Sequence, residues 1–298
     1  MSMENQKLLE ERLHEVAEKT EAACKRYFDE GMAGNTVTAD AMQYSLLGGG
    51  KRIRAFLCLA FAKLFGGSEE AAMPFACALE MVHAYSLIHD DLPCMDDDDL
   101  RRGKPSCHKK FDEPVALLAG DTLLTMAFEV AASNEYVSNR SVRLAVMELA
   151  REAGGCGMAG GQTLDLANTV DSYRALRQIH LQKTSALITA ACMLGYYAAT
   201  DRPQRADMDN IRLYAEAIGL AFQIHDDILD VKSDTATLGK EVGSDAKNNK
   251  KTVLSFLTIS EAEEEEALLT LLAVEAVSVY NNSDLLCQLA IWLLSRKK

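Results

Sequence analysis

Apolar residues recur at three- and four-residue intervals along almost the whole chain, and no stretch sustains the alternation of a half-buried strand. Between residues 4 and 30, Leu8, Leu9, Leu13, Val16 and Ala17 share one face of a helix. The pattern predicts helices over 38–47 and 51–65, separated by Gly48, Gly49 and Gly50. A fourth runs from about 69 to 91 and stops near Pro93. Others are expected over 114–132, 140–165, 171–199, 205–231 and 260–280. Ser260 and Glu263 stand in capping-box spacing, which makes Glu263 to Glu266 a solvated first turn. With no low-complexity linker and no solenoid repeat, the expectation is an all-α fold in a single domain, 1–298.

Two of these apolar runs close on the same tetrapeptide, Ile-His-Asp-Asp, at 88–91 and at 224–227. More acids follow each copy: Asp96 to Asp99 in the first case, Asp230 in the second. Carboxylates crowded at the end of an apolar helix repel one another and resist desolvation, so a positive partner is required. Oxygen-only ligands suit a hard cation such as Mg²⁺, which keeps several waters and binds through a few carboxylates plus substrate phosphates. Asp226 and Asp230, four residues apart, share a helix face. Pro93 forces a turn that lets Asp96 swing back toward the ion of Asp90. A solvated acidic helix end explains either cluster alone, but the duplicated lead-in weakens that explanation. The run 90–101 is no EF-hand, lacking the central glycine and closing glutamate. Two such segments suggest two halves facing across a cavity and gripping one polyphosphate.

Composition narrows the classes. Of 298 residues, 48% are hydrophobic and 25% charged, as in a globular protein, and the net charge of −13 argues against a nucleic-acid surface. The longest uncharged run, Thr184 to Thr200, is too short and too polar to span a membrane, so it is read as a buried helix. The first residues lack an apolar signal core, and Glu10, Glu11, Glu15 and Glu18 are too acidic for a transit peptide, leaving a cytoplasmic location as the expectation. The eight cysteines form no Cys-x-x-Cys pair and are expected to be reduced and packed as small hydrophobes.

Cations for a diphosphate are also present. Gly49-Gly50-Lys51-Arg52-Ile53-Arg54 sets three basic residues after a glycine stretch, although Arg52 stands where a P-loop needs Ser or Thr. Arg101-Arg102 follows the aspartates, and arginine forks suit phosphate oxygens. Singly these are ordinary surface charges; beside the acids they form a charge-balanced phosphate site. His83 lies two helical turns before Asp90 on roughly the same face, a place where a lone histidine is usually a core residue. His89 and His225 are read as structural, and the glycines at 154, 155, 157, 160 and 161 as points of close helix packing. No Ser-His-Asp set or activated cysteine appears, which fits chemistry whose leaving group and attacking electrons both come from substrates.

Together these residues resemble the trans-prenyltransferases, the isoprenyl diphosphate synthases. Ser86-Leu-Ile-His-Asp-Asp-Leu-Pro-Cys-Met-Asp-Asp-Asp-Asp-Leu-Arg-Arg-Gly-Lys-Pro resembles the family's first aspartate-rich motif, and Gln223-Ile-His-Asp-Asp-Ile-Leu-Asp230 its second. Gly49 to Arg54, Gly120-Asp121, Gly161-Gln162 with Asp165, Lys183-Thr184, Gly239-Lys240 and the basic terminus Arg296 to Lys298 extend the likeness over nearly the whole chain. Ala55, where the family commonly has proline, and Val253, where tyrosine is frequent, depart from it.

The resemblance implies an isoprenoid-synthase helical bundle around a central cavity, normally a homodimer. It implies Mg²⁺, replaceable by Mn²⁺, on Asp90, Asp91, Asp96, Asp226, Asp227 and Asp230. It places the allylic substrate, dimethylallyl or geranyl diphosphate, against Arg101, Lys183, Thr184, Gln223 and Lys240. Isopentenyl diphosphate falls to Gly50, Lys51, Arg54, His83 and Arg102. Catalysis is expected of Asp90, Asp91, Asp96, Lys183, Asp226 and Asp227. A terpene cyclase would have another metal motif in its second half, and a non-catalytic partner subunit tends to lose one aspartate motif. A geranylgeranyl synthase shares every motif and differs in the cavity floor. Tyr85, roughly 7.5 Å down the helix axis from Asp90, and Ser86 are the chain-length positions. The aromatic ring leads to an expectation of farnesyl diphosphate, unless Tyr85 is simply a core residue.

Overall fold

A computed structural model describes residues 3–31, 36–167, 169–232 and 251–295. Their fold is all-α apart from one two-stranded hairpin. The elements are α1 (Met3–Gly31), α2 (Val37–Leu46), α3 (Ile53–Leu64), α4 (Glu69–Asp90), β1 (Leu100–Arg101), β2 (Lys104–Pro105) and α5 (Cys107–Phe111). There follow α6 (Glu113–Ala132), α7 (Asn139–Ala153), α8 (Met158–Ala167), α9 (Tyr173–His180), α10 (Ala186–Ala199), α11 (Arg205–Lys232), α12 (Ile259–Ser278) and α13 (Asp284–Ser295). The chain divides into two units: 10–148 with 194–201, and 1–9 with 149–193 and 202–298.

The first unit is built on α4. Ser68 caps its N-terminus by accepting the Ala71 N–H at 3.1 Å. Phe75, Leu79, Met81 and Val82 are fully buried, and the helix packs most extensively on α6 and α3. Burial of each such side chain contributes about 1.5–3 kcal/mol. Both α4 and α6 are long and apolar enough to cross a membrane, but 72% of the apolar window of α4 is buried by its own protein, which marks it as a core helix. The window of α6 is only 44% buried, and its Leu117 and Leu118 stay exposed.

The second unit is organised by α11, which packs most extensively on α12 and buries Ile211, Tyr214, Ile218 and Ile228. The buried Tyr214 hydroxyl donates to the Leu286 carbonyl at 2.9 Å, tying α13 to the same helix.

Three departures from the sequence pattern have physical causes. The helix expected over 140–165 breaks after Ala153, where the glycine-rich turn 154–157 separates α7 from α8. The helix expected over 171–199 contains a five-residue π turn, Leu181–Ser185, between α9 and α10. The last long helix starts earlier than its acids suggested. Thr258 is the N-cap and Glu261 its reciprocal partner, with Thr258 N–H to Glu261 Oε2 at 2.8 Å and Glu261 N–H to Thr258 Oγ1 at 3.3 Å. Both residue pairs fit the S/T-x-x-E spacing, so spacing alone could not choose between them. The hairpin, α5 and α13 had no counterpart in the predicted pattern.

Thr258→Ala should therefore lower the unfolding free energy by about 1 kcal/mol, whereas Ser260→Ala should change it by less than roughly 0.5 kcal/mol. Urea unfolding midpoints of the two variants check this, and the reverse order would move the cap back to Ser260.

Candidate active site

In the first unit the apolar run of α4 ends at Ile88, just before its acids begin. After Pro93 the chain turns back: the Asp96 N–H donates to the Asp90 carbonyl at 2.9 Å, and the Met95 N–H to Leu92 at 2.8 Å. Asp90 and Asp96 are half-buried. Asp91 is only 2% exposed and meets Arg101, whose Nε lies 2.9 Å from Oδ1 and whose Nη2 bonds the same oxygen. Arg101 Nη2 also reaches Asp98 Oδ2 at 3.1 Å. Burial opposes the charge on Arg101, but the bonds and charge of Asp91, then Asp98 and Asp90, outweigh it and raise its pKa.

The arginines are aimed by the hairpin. Leu100 pairs with Pro105 and Arg101 with Lys104, so Arg102 and Gly103 form a two-residue turn with φ of 54° and 74°. The Tyr44 hydroxyl donates to the Pro105 carbonyl at 2.8 Å, fixing the hairpin to α2. Arg102 donates to the Gly49 carbonyl, and its guanidinium lies against Gly50, where a Cβ would come within 3.0 Å of Cζ. Gly50 has φ 126°, which only glycine adopts without strain. His83 is half-exposed as a residue, yet its ring is desolvated: burial, then Arg54, Arg102, Arg52 and Arg101, push its pKa well below the usual value. Burial also lowers the pKa of Arg54, whose Nε–H is buried without a hydrogen-bond partner. This corner therefore holds several cations and a neutral imidazole, arranged to receive an anion. Tyr85 is half-buried with its ring edge-on to His89, centroids 5.7 Å apart, and the Ser86 hydroxyl donates to the His83 carbonyl at 2.9 Å.

In the second unit the π turn does the positioning. It sets Lys183 to donate to Asp165 Oδ2 at 2.6 Å, and Thr184 Oγ1 to donate to Gln223 Oε1 at 3.1 Å. The close approach of α8 depends on Gly161, where a Cβ would stand 2.3 Å from the Lys183 nitrogen. Gln223 Nε2 donates to Asp227 Oδ1 at 3.3 Å, and the Val253 N–H to Asp227 Oδ2 at 2.7 Å. Asp227 is thus buried and engaged, while Asp226 and Asp230 are half-buried on the same helix. Asp165, Lys183, Gln223, Asp227, His180 and Thr252 line one polar pocket. His225 Nδ1 lies 2.7 Å from Glu266 Oε1 and ties α11 to α12, a structural contact. His89 Nε2 lies 3.0 Å from the Leu117 carbonyl, another. Lys240, like Gly239 and the basic terminus, lies outside the described residues.

Among the described residues no three acid, histidine or cysteine side chains converge on a point. The donors fit Mg²⁺ in another way. They are carboxylates only, they come as Asp90 with Asp96 and as Asp226 with Asp230, and each pair leaves coordination positions for water and phosphate oxygens. Neither zinc nor a caged Ca²⁺ matches that set.

Sequence reading missed Glu80 and Glu21, which bind Arg52 at 3.1 and 2.8 Å. The signal was available, because Glu80 is a lone charge inside the apolar run of α4, and such a charge is rarely buried unless paired. It also passed over Gln162 as a polar group: both amide atoms are buried without a partner.

A model of the polyprenyl synthetase family matches residues 35–284. The chain is 50% identical over 232 residues to a farnesyl diphosphate synthase of Escherichia coli, a match covering 76% of this chain and 77% of that one. It is 48% identical over 232 residues to geranylgeranyl pyrophosphate synthase 11 of Arabidopsis thaliana, covering 76% and 64%. A crystal structure described as an FPP/GFPP synthase from Zymomonas mobilis superposes with a TM-score of 0.86 at 34% identity, covering 96% of this chain and 98% of that one.

The pocket of the second unit carries a pH signature. Burial holds His180 neutral and lowers its pKa to about 4. An unfolded histidine binds a proton below about 6.5. Between that pH and about 4 the unfolded chain therefore takes up a proton that the native state refuses, and stability falls as pH falls, by up to about 3 kcal/mol. Urea unfolding from pH 7 to 4 should show this slope, and His180→Asn should flatten it; equal slopes would contradict the assignment.

Proposed function

The chain belongs to the polyprenyl synthetase family and is a short-chain trans-prenyltransferase, and from that premise we propose that its product is farnesyl diphosphate. The family is generally Mg²⁺-dependent and joins isopentenyl diphosphate to allylic diphosphates. The single observation supporting a C15 product is Tyr85. It stands five residues before Asp90 on α4, half-buried, with its ring braced edge-on by His89. A chain growing from the aspartates along α4 meets that ring. Relatives making either product are about equally similar, so overall identity does not decide between C15 and C20.

The division of labour follows from the two sets of side chains. Asp90, Asp96, Asp226 and Asp230 would hold Mg²⁺ on the allylic diphosphate. Mg²⁺ supplies charge neutralisation for the departing diphosphate. Asp91 serves by fixing Arg101, and Asp227 by fixing Gln223 and the 253 backbone. Arg101 and Lys183 add positive charge where the allylic C–O bond ionises, and Lys240 is assigned to the same task. Thr184 and Gln223, which bond each other, help hold the allylic substrate. Lys51, Arg54, His83 and Arg102 hold isopentenyl diphosphate, whose double bond attacks. The proton then lost goes to the released diphosphate. A second copy of the chain is assigned to the exposed apolar face of α6 around Leu117 and Leu118.

Product analysis with labelled isopentenyl diphosphate and each allylic primer tests the reading. Wild type should give C15 and lose turnover in excess chelator; Tyr85→Ala should condense normally but extend to C20 and beyond. A Tyr85→Ala enzyme that still stops at C15 would remove the physical basis of the farnesyl assignment. Light scattering should give twice the 32.6 kDa chain mass, with Leu118→Asp shifting it toward one chain; an unchanged mass in that variant places the interface elsewhere.

A further inference from the structure

Arg52 is the one basic residue of the Gly49–Arg54 turn with no assigned task, yet its side chain is the most enclosed, 3% exposed. Its backbone adopts φ 49°, a left-handed conformation that costs a non-glycine residue about 1 kcal/mol or more. The surroundings over-determine that conformation. Arg52 Nη1 donates to Glu80 Oε2 at 3.1 Å, Nη2 to Glu21 Oε1 at 2.8 Å, Nε to the same oxygen at 3.3 Å, and Nη2 also to the Leu46 carbonyl. The guanidinium thus joins α1, the end of α2 and α4 at the start of α3. Glu80 Oε1 also accepts the Ala55 N–H at 3.2 Å, supplying from α4 a cap that α3 lacks from its own residues.

Glu80 lies one helical turn before His83, and Arg54 and Arg102 both feel its charge. Three guanidiniums, of Arg52, Arg54 and Arg102, are gathered here, and Glu80 and Glu21 are the carboxylates that answer them. Two negative charges against three positive, with Lys51 beside them, leave an excess for a diphosphate. We propose that Glu80, assisted by Glu21, is a positioning residue for isopentenyl diphosphate: it acts through Arg52 to lock the Gly49–Arg54 turn so that Lys51 and Arg54 face the anion together with Arg102.

This rests on assigning those three cations to isopentenyl diphosphate, and steady-state kinetics separates the two claims. Wild type must first show saturable use of isopentenyl diphosphate; its absence would overturn the functional reading itself. Given that, Glu80→Gln should raise KM for isopentenyl diphosphate roughly tenfold or more, as loss of a charge-assisted contact does, with the allylic KM moving less than about twofold. Glu21→Gln should move it in the same direction by less, since Glu21 is partly exposed. Ala55→Pro removes the N–H bonded to Glu80 while sparing Arg52, so it should leave this KM unchanged. Arg52→Lys, which keeps the charge and loses the fork, should behave like Glu80→Gln. A Glu80→Gln enzyme with a lower melting temperature but unaltered KM overturns the proposal, as do equal shifts for both substrates or an Ala55→Pro variant that reproduces the effect. If Glu80→Gln does not fold, Glu21→Gln decides, and an unmoved KM there also overturns it.

Discussion

A charge taken out of water needs an opposite charge at contact distance, and this constraint shapes the bracing of both units. Arg101 bonds Asp91, Arg52 bonds Glu80 and Glu21, and Lys183 bonds Asp165. In each case the partners come from different elements, so the ion pair is also a brace. The arrangement has a directional consequence. Asp91 and Asp227, the innermost acids, are consumed by protein contacts, while Asp90, Asp96, Asp226 and Asp230 stand nearer the surface. Removing one member of a buried pair typically costs about 3–5 kcal/mol because the other is left uncompensated. The scaffold and the chemistry are therefore not separable at these positions.

The same logic explains which parts were legible in the sequence. Long helices announced themselves through period, because one apolar face must be buried over many turns; α4 and α11 appeared close to their observed limits. The aspartate pairs were legible because duplication is improbable by chance. What escaped were features set by contacts distant in sequence. The π turn at Leu181–Ser185 leaves no mark on hydrophobic period, since α9 keeps an apolar face through Leu176 and Ile179 and α10 is apolar along its length. The hairpin has only two residues in each strand, too few for alternation to register. The capping box at Thr258 competed with an equally spaced decoy at Ser260.

Polar residues with no visible work were the harder omission. Glu80 and Arg52 lie 28 residues apart and meet only in the folded chain. Neither has a spacing that names its partner. A lone charge in an apolar helix says that a partner exists, not where, and only the packing of α3 on α4 identifies it.

The hairpin turn shows how function opposes local comfort. Arg102 holds φ 54°, a conformation that asparagine or glycine adopts more readily, and its side chain reaches back over Gly50. Backbone ease and phosphate chemistry thus pull this residue in opposite directions. An engineering effort that scored only heat tolerance would be rewarded for replacing it, and would obtain a sturdier turn at the expense of the group the turn exists to present.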